Sequence, residues 1–232
     1  MAMPFGYVSP EQLTKDKADY ARKGIAKGRP LVVVEYDNGI AFVAENPSTH
    51  LRKIGELYDR IAFAAVGRFS EYESLRTAGI RLADIKGYAY SREDVTSRAI
   101  TNAYSQQLGQ IFQQEPKPFE VELCVAELSI DDEPNALYQI SFDGTAMERK
   151  GWLAMGGQAE ALSDAMRAAY ADGMDLDTAL RTAVNALQTV ATGNGETSRL
   201  EVAVLERGRP GRRAFRRLTE DDVTARTGAP AS

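Results

Sequence analysis

Residues 9–46, SPEQLTKDKADYARKGIAKGRPLVVVEYDNGIAFVAEN, constrain the fold most, because they set a polar helix directly in front of a tight hairpin of apolar strands. Ser9 is an N-cap residue, Pro10 suits the first helical position and Gln12 is placed to complete a capping box, so a helix is expected over residues 10–23. Gly24 and Gly28 are expected to stop it. Residues 31–36 and 40–44 are β-branched, apolar runs joined by Asp37-Asn38-Gly39, whose residues tolerate the positive φ of a hairpin turn. The helix offers a core only Leu13, Ala18, Tyr20 and Ala21, so it is either covered by a partner or a plain solvated helix.

Beyond the hairpin the pattern changes period twice. Residues 53–57 and 60–66 read as two short strands, with Ala62, Ala64, Ala65 and Gly67 small enough for close packing. Residues 69–85 read as a helix. From Ser91, capped through Asp94, apolar side chains at Val95, Ile100, Tyr104, Leu108 and Ile111 keep the three-and-four spacing of another. Pro116 and Pro118 break it, and residues 119–128 and 136–142 alternate as strands around an acidic turn; 152–155 add one more. Helices follow near residues 160–170 and 176–187, then strands at 199–205 and 214–218. Strands, two helices, strands, two helices, strands is not the alternation of a doubly wound parallel sheet; it suits two stacked sheets with helix pairs outside. Residues 219–232 are polar and end in Pro and Ala, and are expected to form a mobile tail.

Composition excludes several function classes. A chain of 232 residues with 44% hydrophobic content can fill one core, burying about 70% of its unfolded surface, so one domain is expected. The net charge of −5 gives no general attraction to nucleic acid or anionic membranes. The arginines at 207, 209, 212, 213, 216 and 217 could suggest nucleic acid, but on edge strands they are expected to form salt bridges or blunt the edge. No run reaches the ~20 apolar residues of a membrane span and no leader is visible, so a cytoplasmic location is expected. Cys124 is the only cysteine and reads as a small hydrophobe rather than a nucleophile. His50 is the only histidine, which leaves histidine-based metal sites and serine triads without support. Gly156-Gly157 lacks a Walker lysine or a dinucleotide fingerprint, so no metal or organic cofactor is expected.

The segment SP…DYARKGIAKG, the hairpin with its NG turn, and LRKIGELYDRIAFAAVG together resemble the proteasome α subunit family, in its actinobacterial form, from about Phe5 to about Leu218. The resemblance implies an α+β fold: a four-layer αββα sandwich of N-terminal nucleophile hydrolase type, two stacked antiparallel sheets flanked by helix pairs. It implies residues 1–8 as an apolar gate segment, 9–218 as one domain with its N-terminal helix, and 219–232 as the tail. It also implies a non-catalytic subunit of the proteasome core particle. Such subunits form an outer seven-membered ring on catalytic β subunits, gate entry, and dock the C-terminal tails of an AAA ATPase activator that delivers tagged, unfolded protein substrates.

The residues agree on the missing catalyst. Catalytic members of the resembling family carry a threonine at the start of the first hairpin strand, whose hydroxyl is activated by its own amine. Here that place holds Arg29 or Pro30, preceded by a helix rather than a disposable propeptide. Glu45 and Lys53 resemble the acid and lysine of that site, with nothing to activate. The resemblance gives Lys53, Gly67 and Arg68 a different role, a pocket that accepts an activator tail: Lys53 pairs with the tail carboxylate, Gly67 leaves room for its backbone, and Arg68 replaces an apolar residue. It assigns the gate to Phe5, Tyr7, Val8, Ser9, Pro10 and Tyr20. The family's Tyr-Asp-Arg gate motif is absent from MAMPFGYV, so closure by apolar packing is expected. The alternatives are a catalytic N-terminal nucleophile hydrolase, or a self-assembling binding protein without a β partner.

Overall fold

The computed structural model describes residues 9–129, 133–190 and 199–228. The gate candidates Phe5, Tyr7 and Val8 lie outside the described residues. Helix α1 (Pro10–Ala26) leads into β1 (Leu31–Tyr36) and β2 (Gly39–Glu45), followed by β3 (Ile54–Tyr58) and β4 (Ile61–Gly67). Helices α2 (Phe69–Ala89) and α3 (Ser97–Gln114) come next, then β5 (Val121–Glu127), β6 (Ala136–Ile140), β7 (Ala146–Arg149) and β8 (Trp152–Met155). The chain continues through α4 (Ala159–Ala169), α5 (Leu176–Val190), β9 (Leu200–Glu206), β10 (Phe215–Arg217) and α6 (Glu220–Thr227).

Two five-stranded sheets result, ordered β10-β9-β2-β1-β8 and β3-β4-β5-β6-β7, with antiparallel pairing throughout. Side chains alternate across each strand, and here both faces meet apolar neighbours. On β1, Leu31 and Val33 turn inward to the space between the sheets, where they join Ala62, Ala64 and Val66 of β4 and Cys124 and Ala126 of β5. Val32 and Val34 turn outward to Leu180, Val184 and Leu187 of α5 and Leu162 and Met166 of α4. On the far side, Phe63 and Ala65 of β4 meet Leu75 of α2 and Ile100, Tyr104 and Leu108 of α3. This is the expected αββα sandwich. Its doubly covered strands explain why the hairpin reads as an unbroken apolar run rather than as an alternation.

Several local expectations need correction. Gly24 does not end α1, which continues to Ala26; the glycine makes room for the Glu120 side chain, whose Oε1 a Cβ there would approach to 2.3 Å. Ser9 caps the helix by accepting from the Gln12 amide at 3.2 Å, but the Gln12 side chain donates to Asp16 instead of closing a capping box. The β1–β2 turn uses Asp37 and Asn38 without positive φ, with Tyr36 paired to Gly39. Gly39 is needed for close approach, since a Cβ would sit 1.9 Å from the Leu205 carbonyl oxygen on β9. Ser91 caps only a short 3-10 turn, Arg92–Asp94, and Thr96 caps α3. Strand β7 is exposed at every residue and so carries no alternation to read. The expected tail forms α6 over Glu220–Thr227, with a capping box between Thr219 and Asp222 and Val223 packed into the outer core; residues 229–232 lie outside the described residues.

The contact of α2 with α3 is tight enough to test. Tyr104 Oη donates to the Leu75 carbonyl at 2.9 Å, and a Cβ on Gly79 would lie 1.9 Å from that hydroxyl oxygen. Gly79→Ala should therefore cost about 1–3 kcal/mol in denaturant unfolding through overpacking. Adding Tyr104→Phe should recover part of that loss, and an unchanged midpoint in Gly79→Ala would contradict this packing.

Candidate functional site

The start of β1 is enclosed by backbone and does not present a free chain end. Arg29 and Pro30 precede Leu31 where the resemblance would place a nucleophile. The Pro30 carbonyl accepts from the Glu45 amide at 3.1 Å, the Gly28 carbonyl accepts from Gly157 at 2.7 Å, and the Arg29 carbonyl accepts from Lys53 Nζ at 2.7 Å. The proline nitrogen lies inside an amide and the guanidinium stays protonated, so neither residue supplies a nucleophile or a base. Gly156, with φ +94°, packs so close that a Cβ would be 3.0 Å from the Arg29 carbonyl oxygen. The Gly156-Gly157 pair thus seats this loop. Cys124 is wholly buried between the sheets, and burial pushes its thiol pKa up, which suits an inert side chain.

Helix α1 lies over β4 and β5 and is pinned at its middle. Lys17 Nζ donates to the Phe112 carbonyl at 3.1 Å and the Glu115 carbonyl at 2.7 Å, so a cation caps the C-terminal end of α3 and complements its dipole. Ser9 and Pro10 stand at the exposed start of α1 and Tyr20 stands ten residues on, about 15 Å away along the axis. The fold does not bring these gate candidates together within one chain. Tyr20 is 46% exposed, with the Lys117 ammonium 5.8 Å from its ring centroid, and Leu13 is 49% exposed.

Lys53, Gly67 and Arg68 do converge, around the loop between α1 and β1. Lys53 reaches across to Arg29, while the backbone at Gly67 faces Gly28, where a Cβ would lie 3.2 Å from the Gly67 nitrogen. Gly67 has φ +110°, and a Cβ on it would meet the Glu120 carbonyl oxygen at 1.9 Å. Close pairing with β5 therefore demands a glycine there independently of any ligand. The Arg68 guanidinium is engaged: Nε donates to Glu120 at 2.8 Å, a second nitrogen lies 2.6 Å from the same carboxylate, and Glu71 is 3.5 Å away. Lys117 joins both acids, at 2.5 Å from Glu71 and 3.2 Å from Glu120, so two cations face two anions.

Lys53 differs in its electrostatics. Burial pushes its pKa from the ordinary 10.5 down to about 8, the Arg29 cation adds to this, and Glu201 and Glu45 oppose it. Its ammonium has three N–H donors and uses one on the Arg29 carbonyl. Glu45 is buried and pairs with Arg29 at 3.4 Å.

The residue that holds this corner together, Glu201, was not singled out from the sequence. Its buried carboxylate accepts from the Lys53 amide at 2.9 Å, the Ile54 amide at 3.3 Å, Asn46 Nδ2 at 2.7 Å and Arg217 at 2.6 Å, while Arg217 also donates to the Ile54 carbonyl. The available signal was an acid within the otherwise apolar run 200–205. Removing it strands Arg217 and two backbone donors, so Glu201→Ala should lower stability by about 3 kcal/mol in denaturant unfolding, whereas a loss below about 0.5 kcal/mol would contradict the hub.

Comparison with known proteins agrees with this architecture. The family model described as proteasome subunit matches residues 25–205. The proteasome subunit alpha of Geodermatophilus obscurus is 56% identical over 227 residues, covering 94% of this chain and 78% of that protein. Its counterpart from Streptosporangium roseum is 52% identical over 237 residues, covering 99% of this chain and 92% of that protein. The one from Thermomonospora curvata is 54% identical over 219 residues, with 94% of each chain covered. The chain therefore belongs to the proteasome subunit family, and the resemblance to its actinobacterial alpha subunits read from residues 9–67 is borne out.

Proposed function

We propose that this chain serves as a non-catalytic α-type subunit that assembles into the outer seven-membered ring of a proteasome core, gates entry to it, and docks an AAA ATPase activator by its C-terminal tails. The observation that carries the reading is the start of β1, where Arg29 and Pro30 stand in place of a nucleophile and the chain runs on into α1. Proteolysis then belongs to the β subunits, and this chain contributes architecture and access. The half-exposed Leu13 and Tyr20 on α1 suit cover by a neighbouring α subunit. Ser9, Pro10 and Tyr20, separated along one helix, act in the gate through neighbouring copies, together with Phe5, Tyr7 and Val8. Lys53 is the cation that receives the tail carboxylate, while Gly28 and Gly67, whose Cβ positions are taken up by close backbone contacts, and Arg68, whose charge is already balanced by Glu120 and Glu71, shape the wall.

Coexpression with a threonine-start β subunit from the same genome tests the assembly. The expected product is a stacked-ring particle whose peptide hydrolysis disappears when the β threonine is replaced. A monomer, or labelling of this chain by a threonine-directed inhibitor, would favour the hydrolase or independent-binding readings.

Lys53→Ala should leave assembly and basal peptide hydrolysis intact and weaken activation by a tail peptide at least tenfold, the scale of a lost charge-assisted hydrogen bond. The same site sets a pH dependence. The ammonium that binds the carboxylate is lost as pH rises through about 8, so tail-peptide affinity should fall between pH 7 and 9. In Lys53→Arg, whose guanidinium stays charged, that fall should vanish. Stability runs the other way: between about 8 and 10.5 the unfolded lysine holds a proton that the folded one has released, so unfolding free energy rises with pH across that window. Deleting residues 1–8 should speed peptide entry into assembled particles, and equal rates would remove those residues from the gate.

A further inference from the structure

The opposite end of the sandwich holds a second concave site. A cavity of about 340 Å³ opens where the β3–β4 turn, the end of β5 and the loop between β9 and β10 meet. That volume lies in the range of small-molecule pockets. Ile61 at the start of β4 lines it, whereas Gly67 at the end of the same strand belongs to the Lys53 cluster, about 20 Å away along the strand. The two sites are therefore distinct.

The walls are built and not merely a gap between loops. The Ala214 amide donates to the Asp59 carbonyl at 2.8 Å and the Leu128 amide to the Arg60 carbonyl at 2.9 Å, which tie the three segments together, and the Arg207 amide donates to the Asn38 carbonyl in the β1–β2 turn at 3.0 Å. Tyr58, Ile61, Val95 and Leu128 supply an apolar floor. The Arg92 guanidinium covers the Tyr58 ring at 4.8 Å from its centroid.

The charge of the lining is what singles the cavity out. In a chain of net charge −5, it gathers six arginines against three carboxylates. Arg60, Arg92 and Arg213 have acidic partners: Glu127 at 3.5 Å, Asp59 at 2.5 Å and Glu56 at 2.5 Å. Of the three lining acids, Asp59 is thus occupied by Arg92 and Glu206 by Arg216 at 3.2 Å, while Glu93 has no cationic partner among the described residues, so the uncommitted charge is three arginines against one carboxylate. Arg207, Arg209 and Arg212 have no carboxylate partner among the described residues. Arg207 donates to the Ser129 carbonyl at 3.3 Å, the Asp37 carbonyl at 3.5 Å and Asn135 at 2.7 Å, which leaves two of its five N–H donors; Arg209 donates to the Phe215 carbonyl at 2.7 Å, and Arg212 is exposed and holds no polar partner among the described residues. Of the two roles expected for this arginine cluster, salt bridges or a blunted edge, Arg213, Arg216 and Arg217 take the first and these three form no salt bridge among the described residues.

We propose that this cavity binds a small multivalent oxyanion of phosphate type, gripped by Arg207, Arg209 and Arg212, with any organic part of the ligand lying over Tyr58, Ile61 and Leu128. Guanidinium forks match such oxyanions bidentately, and half-buried ones do so against less competition from water. The cavity has room for a small molecule and not for a duplex, which favours a discrete ligand over nucleic acid.

Calorimetric titration of the full chain with pyrophosphate and with ADP, at low and moderate salt, tests the site. Saturable binding that weakens with salt is expected, reduced about tenfold by Arg212→Ala and lost when Arg209→Ala is added. Because Arg212 is exposed and makes no hydrogen bond or ion pair with a described residue, Arg212→Ala should leave the unfolding midpoint unchanged, so a loss of binding reads the site and not the fold. Tighter binding of ADP than of pyrophosphate assigns an organic phosphate as the ligand, and the reverse assigns the free inorganic anion. The proposal is overturned if neither probe binds, if both bind the doubly substituted chain as well as the parent, or if short duplex DNA binds more tightly than either.

Discussion

Burial of both faces of both sheets is the constraint on which the molecule depends. With helices outside and a second sheet inside, a strand such as β4 has no face left for polar chemistry, and its inward side chains shrink to Ala62 and Ala64 so that the sheets can close. Exposed donors, acceptors and charges are displaced to the ends of the strands, where loops leave the layers. The chain accordingly carries its two candidate sites at opposite ends of the same strands, one around Lys53 and one around the loop after β9.

Charges drawn toward the interior are handled by dense hydrogen bonding. Glu201 satisfies its carboxylate with two backbone amides, an amide side chain and Arg217, which offsets the loss of hydration that an isolated buried acid would suffer. Burial pushes the Glu120 carboxyl up, but Arg68 and Lys117 outweigh it and hold its pKa below the usual carboxylate range. At Lys53 the neighbouring acids, Glu201 and Glu45, soften the cost of burial without cancelling it, and burial likewise prevails at Glu122 over its hydrogen bonds from Gln139 and the Gly156 backbone. A half-buried cation with donors unused among the described residues is suited to meet an anion arriving from outside.

What the sequence made legible follows from where each signal is stored. The β1–β2 hairpin, α3 and α5 were readable because their apolar spacing is local and strong. The reasons for Gly24 and Gly39 were not, because each is set by a partner far along the chain, Glu120 and Leu205. Strand β7 buries nothing and α6 buries mainly Val223, so neither leaves a pattern. At the candidate site, Lys53, Gly67 and Arg68 were singled out by resemblance, and they do converge on one loop. The neutralisation of Arg68 by Glu120, 52 positions away, and the hub at Glu201, 148 positions from Lys53, are tertiary facts that no local window holds.

Lys17 on the end of α3, Gly28 against Gly157 and Gly24 against Glu120 fasten the segment in front of β1 at three separate places. A cut in the loop that joins α1 to β1 would therefore generate a new amine without releasing the helix in front of it, since Lys17 and Gly24 hold α1 at points that precede the loop. Supplying both a hydroxyl and a free amine at residue 29 or 30 would thus take more than one substitution or one cut, because the backbone there stays tied to Gly157, Glu45 and Lys53.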